Sequence, residues 1–153
     1  MPRILVDADA CPVKEEVYRV ARRLGVPVVV VANSRMQVPL AATIELVVVA
    51  SGQLDDVDDW IAERAGPDDI VVSADIRLAA RCLAAGAQVL APDGRPFTDD
   101  SIGSALATRE LMAGLRESGT VSGGPAPFTP RDRSRFLHAL DEALRRAARR
   151  ASH

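Results

Sequence analysis

Lysine and asparagine are almost absent from this chain: Lys14 and Asn33 are the single examples of their types, and the other eighteen basic residues are arginine. Aromatic residues make up only 3%, too few to offer a run of stacking platforms for the bases of a single strand. The two cysteines, Cys11 and Cys82, lie far apart and form no Cys-x-x-Cys, so neither a disulfide framework nor a thiolate zinc site is signalled. No stretch approaches the roughly eighteen apolar residues that a membrane helix requires, and Arg3 and Asp7 interrupt any signal-peptide core. A cytoplasmic protein with no membrane partner is therefore expected. A residue type that survives once in an Arg- and Ala-rich background is either a chance survivor or one whose substitute fails. Lysine, a compact point charge, suits close contact with a phosphate or carboxylate.

What is present is ordinary for one soluble domain: 48% hydrophobic and 26% charged residues in a chain of 153, enough to bury a core unaided. Short continuous Val/Ile/Leu runs predict strands at Ile4–Asp7, Val26–Val31, Ile44–Val49, Ile70–Ser73 and Gln88–Leu90. Their lack of alternation is the mark of strands covered on both faces. Amphipathic stretches predict helices over Pro12–Leu24, Asp56–Ala65 and Ile76–Ala85, each followed by a glycine, while Ala32–Thr43 reads as loop or short helix. This βα alternation predicts a three-layer α/β domain with a mostly parallel sheet of about five strands. From about residue 98 the character becomes helical, with a helix to about Arg116, a breaker-rich loop, and a last helix from Pro130 to Arg150. Phe136, Leu137, Leu140 and Leu144 have helical spacing there and predict packing on the body.

Polar residues collect at the carboxyl ends of the predicted strands: Asp7 and Asp9 after the first, Asn33 and Ser34 after the second, Ser51 after the third, Ser73 and Asp75 after the fourth. In an open α/β sheet these ends line the ligand crevice. Asp7, Asp9 and Asp75 brought together would repel and raise one another's pKa values. A hard divalent ion such as Mg²⁺ or Mn²⁺ resolves that repulsion and keeps waters for a phosphate to replace. The competing reading is that Asp9 and Asp75 merely cap helices. "GQLDDVDDW" adds Asp55, Asp56, Asp58 and Asp59 at a helix start, where acids compensate the helix dipole; Asp59 is the one that could reach the crevice. Cys11 sits at a helix start with no histidine placed to activate it, so a small buried role is expected, as for Cys82.

The formal net charge is −2, unevenly spread: residues 130–153 carry seven arginines against Asp132, Asp141 and Glu142. Such a basic tail suits a polyanion as well as it suits a solvated helix end. "SGGPAPF" could be a flap over the crevice, with Arg131 and Arg133 behind it for phosphates, or a hinge between helices.

"VDADACPVK", "VVANS", "DDVDDWIAE", "DIVVSADIRLAA", "TDDSIGSALATRELM" and "GGPAPFTPRDRSRF" resemble the bacterial YaiI/YqxD family through almost the whole chain to about residue 141. The resemblance implies a PIN-like fold over residues 1–153, and PIN-like domains are typically metal-dependent ribonucleases. By motif, Asp7 resembles their first-strand metal aspartate, and Asp75 the aspartate that opens a later helix with Asp-x-x-Leu-Ala. The glutamate that many such domains supply near the second helix has no motif counterpart, which leaves Asp59 as the candidate. The leading expectation is a phosphodiesterase acting on RNA. Asp7, Asp9, Asp75 and Asp59 would serve Mg²⁺ or Mn²⁺, Lys14 would stabilise developing charge, and Asn33, Ser34, Arg131 and Arg133 would hold substrate. The alternatives are a module that binds metal, nucleotide or RNA without turnover, and a phosphatase in which Asp7 forms an aspartyl-phosphate with Asp9 as general acid.

Overall fold

Four of the five apolar runs become strands buried on both faces, while the run at 44–48 becomes an edge strand that is only partly covered. In the computed structural model, which describes residues 2–49, 56–104, 106–108 and 128–151, the strands are β1 (Arg3–Asp7), β2 (Val28–Ala32), β3 (Ile44–Val48), β4 (Asp69–Val72) and β5 (Gln88–Leu90). They pair in the order β3-β2-β1-β4-β5, every pair parallel. The helices are α1 (Lys14–Leu24), α2 (Asp56–Arg64), α3 (Ile76–Ala84), a helical stretch at 99–104 and 106–108 called α4, and α5 (Pro130–Ala151).

Successive strand residues point to opposite faces, and the two cores follow that parity. Ile4, Val6, Val28, Val30, Ile70 and Val72 pack under Val17 and Tyr18 of α1 and Phe136 and Leu140 of α5. Leu5, Val29, Val31, Val71 and Val89 pack on the other face under Val57 and Ile61 of α2 and Leu78 and Cys82 of α3. The result is a three-layer α/β domain.

Expected boundaries hold to within one or two residues, with instructive differences. α1 begins at Lys14 because Pro12 and Val13 form a turn, after a short 3-10 segment at Ala8–Ala10. It ends at Gly25, whose φ of 67° is the left-handed conformation glycine adopts without strain. The β2–β3 connection contains no helix. The expected helix over 98–116 is present at 99–104 and 106–108, and its remainder lies outside the described residues.

α5 packs on the body, as its apolar spacing requires, and two contacts fix its direction. Near its start, Arg133 Nη1 donates to Pro12 O at 2.7 Å, beyond the carboxyl end of β1. Near its end, Leu144 and Ala148 face Pro2, Leu24 and Pro27 at the amino ends of β1 and β2. α5 thus runs beside α1 from the carboxyl edge of the sheet to the amino edge.

The approach of α5 depends on Gly94, in the turn after β5. Its φ is +89°, and a Cβ built there would lie 2.6 Å from the Arg135 carbonyl carbon and 2.8 Å from the Phe136 nitrogen. Since these are backbone atoms, no rotamer change relieves the clash. Gly94→Ala is expected to destabilise the fold by roughly 2–4 kcal/mol, combining backbone strain with overpacking. Gly103→Ala, where nothing lies within 4 Å, should be neutral or slightly stabilising. Thermal unfolding of the two variants checks this, and equal behaviour would contradict the close approach.

Candidate functional site

The chain builds β1, β2 and β3 outward in one direction, then returns to lay β4 and β5 on the other side of β1. Strand order reverses between β1 and β4, the place where, in open α/β sheets, the connections leaving the two carboxyl ends part and ligands bind. Asp7 is the last residue of β1. The register sets Leu5 beside Val71 and Val6 beside Val72, so the next pair is Asp7 beside Ser73, on the α2/α3 face. Ser73, buried at 2% exposure, donates its hydroxyl to Asp7 Oδ2 at 2.9 Å and accepts the Asp75 N–H at 3.0 Å. Asp75 in turn caps α3, its Oδ1 accepting from the N–H groups of Arg77 (2.8 Å) and Leu78 (3.1 Å). One short polar chain therefore links the ends of both central strands.

Burial pushes the Asp7 carboxyl above its ordinary pKa; the Ser73 hydrogen bond opposes that shift, while the negative charges of Asp9 and Asp75 add to it. Asp7 is thus half-buried, with no positive charge prominent among the groups acting on it. Native cores avoid such an arrangement unless it is used.

The structure brings some expected residues together and separates others. Asp9 lies exposed on the 3-10 turn. It does not cap α1, whose N-cap is Val13 with no side-chain hydrogen bond. Asp75 does cap its helix, so there the capping reading is correct and coexists with the site. Lys14 opens α1, and its Nζ donates to Cys11 O at 2.9 Å, which leaves two ammonium N–H groups for another partner. Asn33 and Ser34 are exposed just beyond β2, the neighbour of β1.

Asp59 is engaged elsewhere: its Oδ1 accepts from Arg81 Nη1 at 2.7 Å, an exposed bridge between α2 and α3. An arginine one turn into the facing helix was the competing partner that spacing within α2 could not reveal. Arg133 is likewise engaged, donating to Pro12 O and pairing with Glu16 Oε1 at 3.1 Å, so it ties α5 to α1. Arg131 is exposed at the start of α5. Cys11 is buried, and burial raises its thiol pKa, in keeping with a packing role. Ser51, Asp55 and residues 122–127 of the proposed flap lie outside the described residues. The residue that sequence reasoning undervalued is Ser73: a hydroxyl ending a buried strand two residues before a capping aspartate was its only signal.

Among the described residues no group of three or more His, Cys, Asp or Glu side chains is gathered as a ready-made metal cage. Mg²⁺ does not need one, since it commonly takes one or two carboxylates and completes its shell with water and substrate oxygens. Asp7 with Asp9 or Asp75 fits that open kind of site.

The raised Asp7 pKa has a thermodynamic consequence. The folded state favours the protonated carboxyl, so stability should fall as pH rises from the ordinary carboxylate range through the folded pKa of Asp7. The penalty therefore grows toward neutral pH when no cation is added. Asp7→Asn, which can still accept from Ser73, should therefore stabilise the protein by about 0.5–2 kcal/mol, the usual gain on relieving a strained functional position. Denaturant unfolding at pH 7 and at pH 4 measures this; a gain confined to pH 7 is expected, and a loss at pH 7 would contradict it.

Residues 5–146 match the family described as "Uncharacterized BCR, YaiI/YqxD family". A UPF0178 protein of Rhodopseudomonas palustris (strain HaA2) is 62% identical over 148 residues, covering 97% of this chain and 90% of its own. UPF0178 protein bll3966 of Bradyrhizobium diazoefficiens is 60% identical over 97% of this chain and 88% of its own. A UPF0178 protein of Nitrobacter winogradskyi is 59% identical over 96% and 93% respectively. No solved structure matches the chain. Agreement over nearly the full length, in the family model and in relatives alike, makes this chain a member of the YaiI/YqxD family.

Proposed function

We propose that this protein is a divalent-cation-dependent phosphodiesterase acting on RNA, with its centre at the β1–β4 junction, as a PIN-like reading of the fold implies. The observation that carries the proposal is the Asp7 carboxyl: half-buried at a strand-order reversal, hydrogen-bonded to Ser73, and made harder to ionise by burial and by Asp9 and Asp75. Asp7, with Asp9 or Asp75, would hold Mg²⁺ or Mn²⁺. A bound cation supplies Lewis-acid polarisation of a phosphoryl group. The chain's own residues do the rest. Ser73 fixes the Asp7 rotamer through its hydroxyl. Lys14 would offer its free N–H groups to a phosphate oxygen, and Asn33, Ser34 and Arg131, all exposed, would hold the backbone. Asp59 and Arg133, already paired, hold helices rather than substrate.

A second reading, a module that binds without turnover, is favoured by one observation, the pairing of Asp59, the candidate fourth acid, with Arg81. Two measurements separate the readings. Millimolar Mn²⁺ should raise the Tm of wild type but not of Asp7→Asn, since a ligand at 100 times its Kd adds about 2.7 kcal/mol. Labelled RNA incubated with Mn²⁺ should be cleaved by wild type and by Asp59→Asn, and at least 100-fold more slowly by Asp7→Asn and Asp75→Asn. Asparagine caps helices as well as aspartate does, so loss in Asp75→Asn would not reflect a frayed α3. Cation binding without cleavage would leave the binding module, and no Asp7-dependent cation effect would overturn both.

A further inference from the structure

The expected basic tail does not gather at the acidic crevice. Arg131 and Arg133 stand at the carboxyl edge, but α5 carries its later arginines to the opposite edge, where α1 also ends. Arg19 and Arg23 of α1 line a groove against α5, Asp141 joins Arg23 to Arg145, and Arg145, Arg146 and Arg149 share the next stretch of the α5 surface. These five and Arg22, in the last turn of α1, are exposed. The acids among them are Asp141 and Glu142. Asp141 is committed to Arg23 and Arg145, each at 2.7 Å, and Glu142 stands 3.3 Å from His138 Nε2. This face holds about +4 of charge on a chain whose net charge is −2.

Compensation of helix dipoles accounts for arginines in last turns, which covers Arg22, Arg23 and Arg149. It does not cover Arg19, Arg145 or Arg146, which lie earlier. Arg19, Arg22, Arg146 and Arg149 make no ion pair or hydrogen bond among the described residues. The surface is also shaped: Arg19, Arg23, Leu137, His138 and Asp141 line a groove of about 430 Å³ between α1 and α5. Asp141 fixes the guanidinium groups of Arg23 and Arg145 on either side of it, so part of the ordering entropy is met before any ligand arrives.

We infer that the α1–α5 face is a second anion-binding surface, separate from the Asp7 crevice, and that its partner is the phosphodiester backbone of double-stranded nucleic acid. The partner's form follows from what the face lacks. Tyr18 and Phe136 point inward at 3% and 0% exposure, which leaves His138 as the one exposed ring on these two helices among the described residues, so a run of unpaired bases finds no series of platforms to stack on. Guanidinium groups fork onto phosphate oxygens, which are equally available on a duplex of any sequence. A membrane surface fits less well, since Leu24 is the one exposed large apolar side chain at this edge among the described residues and insertion needs an apolar face. The inference assumes nothing about chemistry at Asp7.

Fluorescence anisotropy with labelled 20-base-pair RNA and DNA duplexes, in EDTA at 50 and 200 mM KCl, tests it. If three or four phosphates are neutralised, wild-type affinity should fall about 40- to 150-fold between the two salts. Arg19→Ala/Arg22→Ala/Arg146→Ala/Arg149→Ala should bind at least tenfold more weakly at 50 mM with a flatter salt dependence, while unfolding at the wild-type temperature. Asp7→Asn should bind duplex as wild type does. The RNA and DNA arms say which duplex is preferred. No duplex binding at 50 mM, duplex binding unaffected by the four substitutions, or arginine-dependent binding to phosphatidylserine vesicles in place of duplex would each overturn the inference.

Discussion

The hydrogen bond from Ser73 to Asp7 depends on, and reports, the feature that organises this molecule: the parallel pairing of β1 with β4. Because these two strands are neighbours in space but separated by two strands in sequence, their carboxyl ends are where strand order reverses. The pairing is held at both ends. At the amino edge, Arg3 forks onto Asp69, with Nε to Oδ1 at 3.2 Å and Nη2 to Oδ2 at 3.0 Å. At the carboxyl edge, Ser73 reaches Asp7. Between those clamps every residue of β1 from Ile4 to Val6 is fully buried. The position of the Asp7 backbone is therefore a property of the sheet rather than of a loop, and the Ser73 hydrogen bond holds its carboxyl at the junction.

The same chain direction that sets acids at one edge delivers arginines to the other. Strands point their carboxyl ends at the crevice, whereas α1 and α5 run away from it, and helix ends favour cations. The polarity of a parallel α/β unit thus sorts charge with little help from net composition. A chain with formal charge −2 can present an acidic crevice and a basic face at once, and a count of residues alone conceals this.

How much of this could be read from the sequence depended on the range of the interactions. Continuous apolar runs located the strands because burial on both faces is a local constraint repeated along each run. Asp7 stood out because a carboxylate next to Ile4-Leu5-Val6 has no local excuse, and Gly25 marked a helix end because left-handed backbone selects glycine. The ion pair of Asp59 was not legible because its partner, Arg81, lies on another helix, and no periodicity within α2 encodes that meeting. The tie made by Arg133 was hidden for the same reason, its partners being Pro12 and Glu16 across the α1–α5 interface. Ser73 was visible but unremarkable until the register placed it beside Asp7. The family resemblance supplied the match across the chain, while the direction of α5, which decides where the basic tail goes, came only from packing.

The most direct test is to follow the Asp7 carboxyl carbon by NMR through a pH titration, with and without saturating Mg²⁺. Asp7 should titrate above the exposed aspartates when no divalent ion is present, and its inflection should drop to or below theirs when the ion is added. An inflection at the ordinary aspartate position, or one that Mg²⁺ leaves in place, would contradict the reading of this junction as a cation-dependent centre.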